Sequence, residues 1–267
     1  MTDADGGQPA ALADRRGNVM VITLNRPEAR NAVNGAVSTA VGNALEEAQH
    51  DPDVRAVVIT GAGDKSFCAG ADLKAISRRE NLYHPDHPEW GFAGYVHHFI
   101  DKPTIAAVNG TAFGGGTELA LASDLVVAHE LAQFGLPEVK RGLIAAAGGV
   151  FRIVHQLPRK VAMELLLTGE PIAASDALDW GLINQVVTEG SVLDAALALA
   201  ARVTVNAPLS VQASKRIAYG VDDGVITGDE PGWDRTVREM RSLIRSEDAT
   251  EGPLAFAEKR EPVWKAR

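Results

Sequence analysis

The chain of 267 residues has a single cysteine, Cys68. One thiol excludes an intrachain disulfide and suits a reducing compartment, so a cytoplasmic location is expected. Long apolar runs are also missing. The apolar and glycine stretch Leu143 to Phe151 is far too short to span a membrane. The opening MTDADGGQPAALADRRGN lacks the apolar core of a secretory leader and reads as a polar, mobile lead-in. Basic side chains are scarce, 26 against 35 acidic, and the net charge of -9 argues against a surface that coats nucleic acid. An anionic ligand would need a local basic patch.

Several catalytic signatures are absent as well. No G-x-S-x-G occurs, so a nucleophile elbow is not supported. TGAGDKS (60–66) follows a strand-like run but matches neither G-x-x-x-x-G-K-[ST] nor G-x-G-x-x-G. His84 and His87 in HPDHPEW have no H-E-x-x-H or Cys/His partners, and the adjacent His97 and His98 would diverge on a helix; neither pair makes a convincing metal site. A lone cysteine is more often buried and inert than nucleophilic.

What is present is the composition of a globular protein, 46% hydrophobic and 23% charged, with strand and helix signals in alternation. VMVITL (19–24) and VRAVVIT (54–60) have the length and β-branching of buried strands, and AVSTAVGNALEEAQH between them has helical spacing. Further strands are expected at 104–109, 124–130 and 183–188, giving an α/β fold. After about residue 190 the strand signals stop. Four helical segments follow, with Pro208, Pro231 and Pro253 expected near the starts of the last three. Such an appendage must dock on its own core or on another subunit.

Three glycine-rich segments carry the chemistry: SFCAGADLK (66–74), VNGTAFGGGTELALASD (108–124) and FGLPEVKRGLIAAAGG (134–149). A glycine-rich entry to a helix presents free N–H groups with no Cβ in the way, a place suited to developing negative charge. If a helix begins in the GGG run, the Gly115 amide and the Glu118 side chain lie one turn apart on one face. A second amide from the Gly70-Ala71 turn would complete a two-donor oxyanion hole, the chemistry of an enolate.

These segments, in this order and spacing, resemble the enoyl-CoA hydratase/isomerase (crotonase) superfamily. The likeness runs from ITLNRPEARNAV (22–33) to AFAEKREPVWK (255–265). The resemblance implies a crotonase-like spiral of ββα units over residues 1–200 and a C-terminal helical trimerisation region over 201–267. It implies oxyanion donors at Ala71 and Gly115 and a catalytic pair at Glu118 and Glu138, both of which are retained as in the hydratases. The implied reaction is reversible addition of water to a trans-2-enoyl-CoA, with Glu118 as base, Glu138 as acid and no metal or redox cofactor; double-bond isomerisation or dehydration of a specialised acyl-CoA uses the same enolate hole. A role in fatty-acid or lipid metabolism goes with it.

The resemblance further implies a substrate path along Ala71, Asp72, Leu73 and Lys74, with Lys74 or Arg30 available to CoA phosphates. It places Phe256 and Lys259 on a last helix that can reach a neighbour's CoA site in a homotrimer or a dimer of trimers. Two departures stand out. Ile144-Ala145-Ala146-Ala147-Gly148-Gly149 replaces the family's I-P-G-A-G-G, and the 77–102 stretch carries Trp90, Phe92 and Tyr95, which are candidates to wall the acyl pocket. Glu138 follows Pro137 at an expected helix start, where the dipole favours the charged form, so an acid role requires burial to override it.

Overall fold

The computed structural model describes residues 8–267, so the first seven residues of the expected polar lead-in lie outside the described residues. From Ala11 on, that lead-in is not loose. β1 (Ala11–Arg16) pairs antiparallel with β2 (Val19–Leu24) across a turn in which Gly17 takes φ +61°. β1 is an edge strand with only Ala11 buried, so its polar side chains gave no strand signal; the ladder with β2 holds it instead.

The chain then repeats one winding. After α1 (Gly35–His50), β3 (Ala56–Gly61) is followed by β4 (Ser66–Cys68) and α2 (Leu73–Ser77). Next come β5 (Thr104–Val108), β6 (Thr111–Phe113) and α3 (Gly115–Ala122). β7 (Leu125–His129) and β8 (Gln133–Gly135) lead through a short 3-10 turn, Pro137–Arg141, to α4 (Gly149–Gln156) and α5 (Arg159–Thr168). The first strand of each winding joins a six-stranded sheet, and the second joins a smaller one. β9 (Ile172–Ala173), α6 (Ala174–Asp179) and β10 (Gln185–Val187) complete the two sheets, ordered β1-β2-β3-β5-β7-β10 and β4-β6-β8-β9. This is the expected α/β spiral of ββα units.

The smaller sheet positions the site. β4, β6 and β8 run parallel side by side, with Cys68 against Ala112 and Phe113 against Gly135. Their C-terminal ends therefore emerge at one edge, and each end leads directly into one of the three glycine-rich segments. The large sheet supplies the core. Val57, Ile59, Ala106 and Val108 face α1 and α3, whereas Val19, Val58, Ile105 and Val127 face the other way. On that second face lies α7 (Val192–Thr204), whose Val192, Ala196 and Ala200 fall on one helical stripe.

The remaining elements pack more loosely. α8 (Pro208–Tyr219) buries none of its residues fully, and Leu209 and Ile217 are 78% and 81% exposed. A small hairpin, β11 (Val221–Asp222) with β12 (Val225–Ile226), was not signalled by sequence because two-residue strands carry no periodicity. α9 (Glu230–Leu243) begins at its proline as expected. In α10 (Glu247–Glu258), however, Pro253 lies inside the helix and not at its start: Ser246 caps the helix through Ala249 N–H, extending it a turn and a half upstream.

α8 is tied down by charge. Lys215 pairs with Asp124 at 2.8 Å and donates to the Lys102 carbonyl, while Asp124 also accepts from Thr104 N–H at 2.7 Å. Both side chains of the pair are largely buried, so removing one strands the other's charge. Lys215→Ala is expected to destabilise the protein by about 3 to 5 kcal/mol, read as a lower urea midpoint, with α8 amides exchanging faster; an unchanged midpoint would contradict the anchor.

Candidate active site

The three glycines of the GGG run are each required by a close approach. A Cβ on Gly114, which has φ +55°, would stand 2.9 Å from Glu138 Oε1. One on Gly115 would run into the Phe92 ring and lie 3.1 Å from Gly70 Cα, and one on Gly116 would strike the Cys68 carbonyl. The run thus lets β6 turn into α3 while the segment after β4 and the turn after β8 press against it.

That packing leaves two amides free. The 69–72 segment is pinned to residues 30–33: Ala69 N–H donates to Arg30 O, Val33 N–H to Gly70 O, and Asp72 N–H to Val33 O. The intervening Ala71 N–H has no protein acceptor, nor does Gly115 N–H at the first position of α3, among the described residues. Gly70, beside Ala71, approaches Gly115 so closely that a Cβ would stand 3.0 Å from the Gly115 nitrogen. The expected donor pair is therefore brought together at the start of a helix, where the dipole adds to it.

Both glutamates flank this pair. Glu118, in the first turn of α3, is 3% exposed and accepts from Gly149 N–H at 2.8 Å. Burial, reinforced by the charge of Glu138, pushes its carboxyl up to about 8 against the pull of the Gly149 and Ala147 amides and of Arg152. Glu138, in the 3-10 turn, has its Oε2 buried with no partner, and burial pushes it up to about 7 in spite of its own backbone N–H. Burial therefore does override the helix start at Glu138, as an acid requires. Cys68 lies beneath, with its thiol pushed up to about 12 by burial, which leaves it un-ionised and without nucleophilic character.

Glu138 also lines a cavity of about 400 Å³ whose walls are otherwise apolar, Leu136, Val150, Phe151, Met163 and Leu166 among them, with Arg235 the other charged group. Two amide donors, two buried carboxylates with raised protonation range and an adjoining apolar cavity can hold a polarised carbonyl and move protons beside it.

A family model described as enoyl-CoA hydratase/isomerase matches residues 14–267. The chain belongs to the enoyl-CoA hydratase/isomerase family. It is 44% identical over 258 residues to carnitinyl-CoA dehydratase of Salmonella paratyphi A, covering 95% of this chain and 97% of that one. Among solved structures, a carnitinyl-CoA hydratase from Mycobacterium avium is 78% identical with a TM-score of 0.96, covering 98% of this chain and 100% of that one. An enoyl-CoA hydratase from Mycobacterium tuberculosis H37Rv is 42% identical with a TM-score of 0.76, covering 97% and 100%. Crotonase-family hydratases and dehydratases are thus the common ground.

Other residues implicated through the family are placed differently. Asp72 faces inward as the cap of α2, accepting from Lys74 and Ala75 N–H, and pairs with Arg26 at 2.9 Å. Burial opposes its ionisation, but Arg26 and these amides outweigh it and hold the carboxyl below its usual range. It braces the oxyanion segment, and so does Arg26, which also donates to Ala32 O at 2.7 Å. Leu73, Lys74 and Arg30 are exposed beside that segment, free to meet a ligand.

The aromatic stretch does not wall the cavity. Trp90 is sandwiched between His87 and His98, both 4.1 Å away between ring centroids, and a Cβ on Gly42 would come within 2.7 Å of it. Tyr95 bonds Ser123 at 3.0 Å in the interior. Of the three, only Phe92 reaches the site, behind Gly115. His84 is committed to the same packing: Nδ1 accepts from Asp86 and His87 N–H, and Nε2 meets Asn43. Among the described residues no cluster of three or more His, Cys, Asp or Glu could hold a metal.

Phe256 and Lys259 were expected to reach a neighbour. Within its own chain α10 packs on the turn that bears Glu138, with the Arg141 guanidinium 4.0 Å from the Phe256 ring, and both Phe256 and Lys259 remain exposed. Close contact at Gly142 and Gly252 fixes this arrangement, since a Cβ on either would overlap the opposing backbone. Sequence reasoning passed over Arg26 and Arg152, because an isolated arginine carries no mark of what it faces.

Raised carboxyls have a signature in stability. The folded state binds their protons more tightly than the unfolded state, so the contribution is fully present below the ordinary value of 4.5 and is lost as pH rises through about 7 to 8. Glu118→Gln and Glu138→Gln should each flatten the fall in melting temperature between about pH 5 and 9 and melt above wild type at the alkaline end. Parallel wild-type and variant curves across that range would contradict the burial of the ionisable pair.

Proposed function

We propose that this chain is an enoyl-CoA hydro-lyase, adding water to a trans-2-enoyl-CoA to give a 3-hydroxyacyl-CoA and catalysing the reverse. The observation that carries this is the pairing of two buried carboxylates with two free, adjacent N–H donors. The thioester oxygen accepts from Ala71 and Gly115 N–H, which draws electron density from C3. Glu118 takes a proton from water as its oxygen bonds to C3, and the charge passes to the enolate oxygen in the hole. Glu138 then delivers its proton to C2. Loss of one donor from such a hole typically costs about 100 to 1000-fold in rate.

Burial raises Glu118 further than Glu138, an order that by itself would leave the proton on Glu118, and the hydrogen-bond pattern is what supports the opposite division: Glu118 accepts an N–H bond that favours the anion, whereas the unpartnered Oε2 of Glu138 can carry a proton. With both carboxyls titrating near neutrality, the pair can hold a single proton, which is the state that either direction needs at the outset. Each step moves a proton or water, so we assign no metal or redox cofactor, and the lone buried thiol supports a cytoplasmic setting. The exposed apolar side chains of α8 support burial in a homotrimer or a dimer of trimers, checked by sedimentation of the full chain.

A second reading, dehydration of a specialised acyl-CoA of the carnitinyl kind, is favoured by the names of the relatives at 44% and 78% identity. Straight-chain 2-enoyl-CoA thioesters and carnitinyl-CoA, incubated separately with the enzyme in ¹⁸O-water and followed by mass spectrometry, separate the readings. Hydration places ¹⁸O at C3 of the straight chains, while preferential water loss from carnitinyl-CoA promotes the second reading. Double-bond migration without ¹⁸O uptake would overturn both. Glu118→Gln and Glu138→Gln are each expected to lower kcat by about 100-fold or more with little change in affinity for a non-reactive acyl-CoA.

A further inference from the structure

Behind Glu118 lies a second charged group that the reaction as written does not use. Arg152 of α4 is 8% exposed. Its Nε and Nη2 donate to one oxygen of Asp229 at 3.0 and 2.8 Å, yet its Nη1 is buried with no protein acceptor. Buried donors are rarely left unpaired without a reason. The guanidinium lies 5.3 Å over the Trp233 ring and 5.5 Å from that of Phe151, and the two rings, 5.0 Å apart, pack against it from the same side. Nη1 is aimed at the turn that opens α4: a Cβ on Gly148, which has φ +99°, would stand 3.1 Å from it. The next residue, Gly149, supplies the N–H that grips Glu118.

Asp229 precedes α9, and its carboxylate is not used to cap that helix. It is committed to Arg152. The C-terminal helices are therefore connected, through one ion pair and one glycine turn, to the carboxylate beside the oxyanion donors.

We propose that Arg152 is a positioning residue for Glu118, holding the Gly148-Gly149 turn in place and favouring the charge that a base must carry. The proposal rests on Glu118 acting as the base. The ionisable groups that face Glu118 are Glu138 from the 3-10 turn, Cys68 from β4 and Arg152 from α4; those that face Arg152 in addition are Asp229, Tyr95 and Tyr219. Arg152 is the cation among the groups facing Glu118, and it opposes the upward push of burial there.

The test is a carbon-13 NMR titration of the full chain labelled at glutamate Cδ, with Glu118 assigned by comparison with Glu118→Gln. Arg152→Gln should raise the Glu118 midpoint by about one pH unit, a tenfold change in the ionised fraction, and Arg152→Lys should restore most of the difference. Asp229→Asn, which keeps the guanidinium and removes the anion that neutralises it, should move the midpoint the other way. In the hydration assay, Arg152→Gln should lower kcat at neutral pH and recover on the alkaline side, with KM little changed.

A merely structural link would lower the melting temperature of these variants and leave both midpoints at the wild-type value, and that result overturns the proposal. If Arg152→Gln does not fold, an unchanged or raised midpoint in Asp229→Asn overturns it equally. The titration needs no turnover, so failure of the hydro-lyase reading appears in the assay alone.

Discussion

The contact between Gly70 and Gly115 is the constraint on which the rest of the site depends. Two backbone turns, 45 residues apart in sequence, meet with no side chain between them. The meeting follows from the small parallel sheet, because β4 and β6 are neighbours whose ends emerge together. It places the Ala71 and Gly115 amides side by side, and it also leaves no room for a residue larger than glycine. Where many helices begin with a capping side chain, α3 begins at Gly114 with none, at a cost in stability of about a few tenths of a kcal/mol.

The carboxylates extend the same compromise between stability and chemistry. A buried glutamate pair is unfavourable when ionised, and here the surroundings only partly relieve it. One N–H bond reaches Glu118 Oε1, while Glu138 Oε2 has no partner. The relief comes from proton binding, which keeps both groups near neutrality in the physiological range. The surrounding structure bears the burden: the Asp72 cap and its Arg26 pair brace one donor segment, and α10 braces the turn under Glu138.

Legibility in the sequence followed the length of the signal. β2 and β5 were readable because buried β-branched runs of five or six residues leave a clear pattern, and the helices from α7 onward were readable from their stripes and prolines. The three-residue strands β4, β6 and β8 were not, although they set the geometry of the site, because a run that short has no period to detect. Glu118, Glu138, Ala71 and Gly115 were identified through motif and family likeness. Their burial, and hence their protonation, is a tertiary property that no local pattern encodes. Trp90 illustrates the opposite error: an aromatic side chain in the stretch before β5 suggested a pocket wall, but its ring is stacked between those of His87 and His98.

The winding of the chain separates two things that many enzymes keep entangled. Glu118 and Glu138 stand on consecutive turns of the spiral, joined only by α3, β7 and β8, so one repeat unit sets the gap between them. The long excursion between α2 and β5 lies outside that unit, and so do α8, α9 and α10. Insertions, deletions or recruitment of new side chains in the excursion and in α8 can remodel what surrounds a bound acyl group while the measure between the two carboxylates stays the same. A fold built this way is free to diversify its ligands by editing loops, with the proton-handling spacing carried along as an inherited unit.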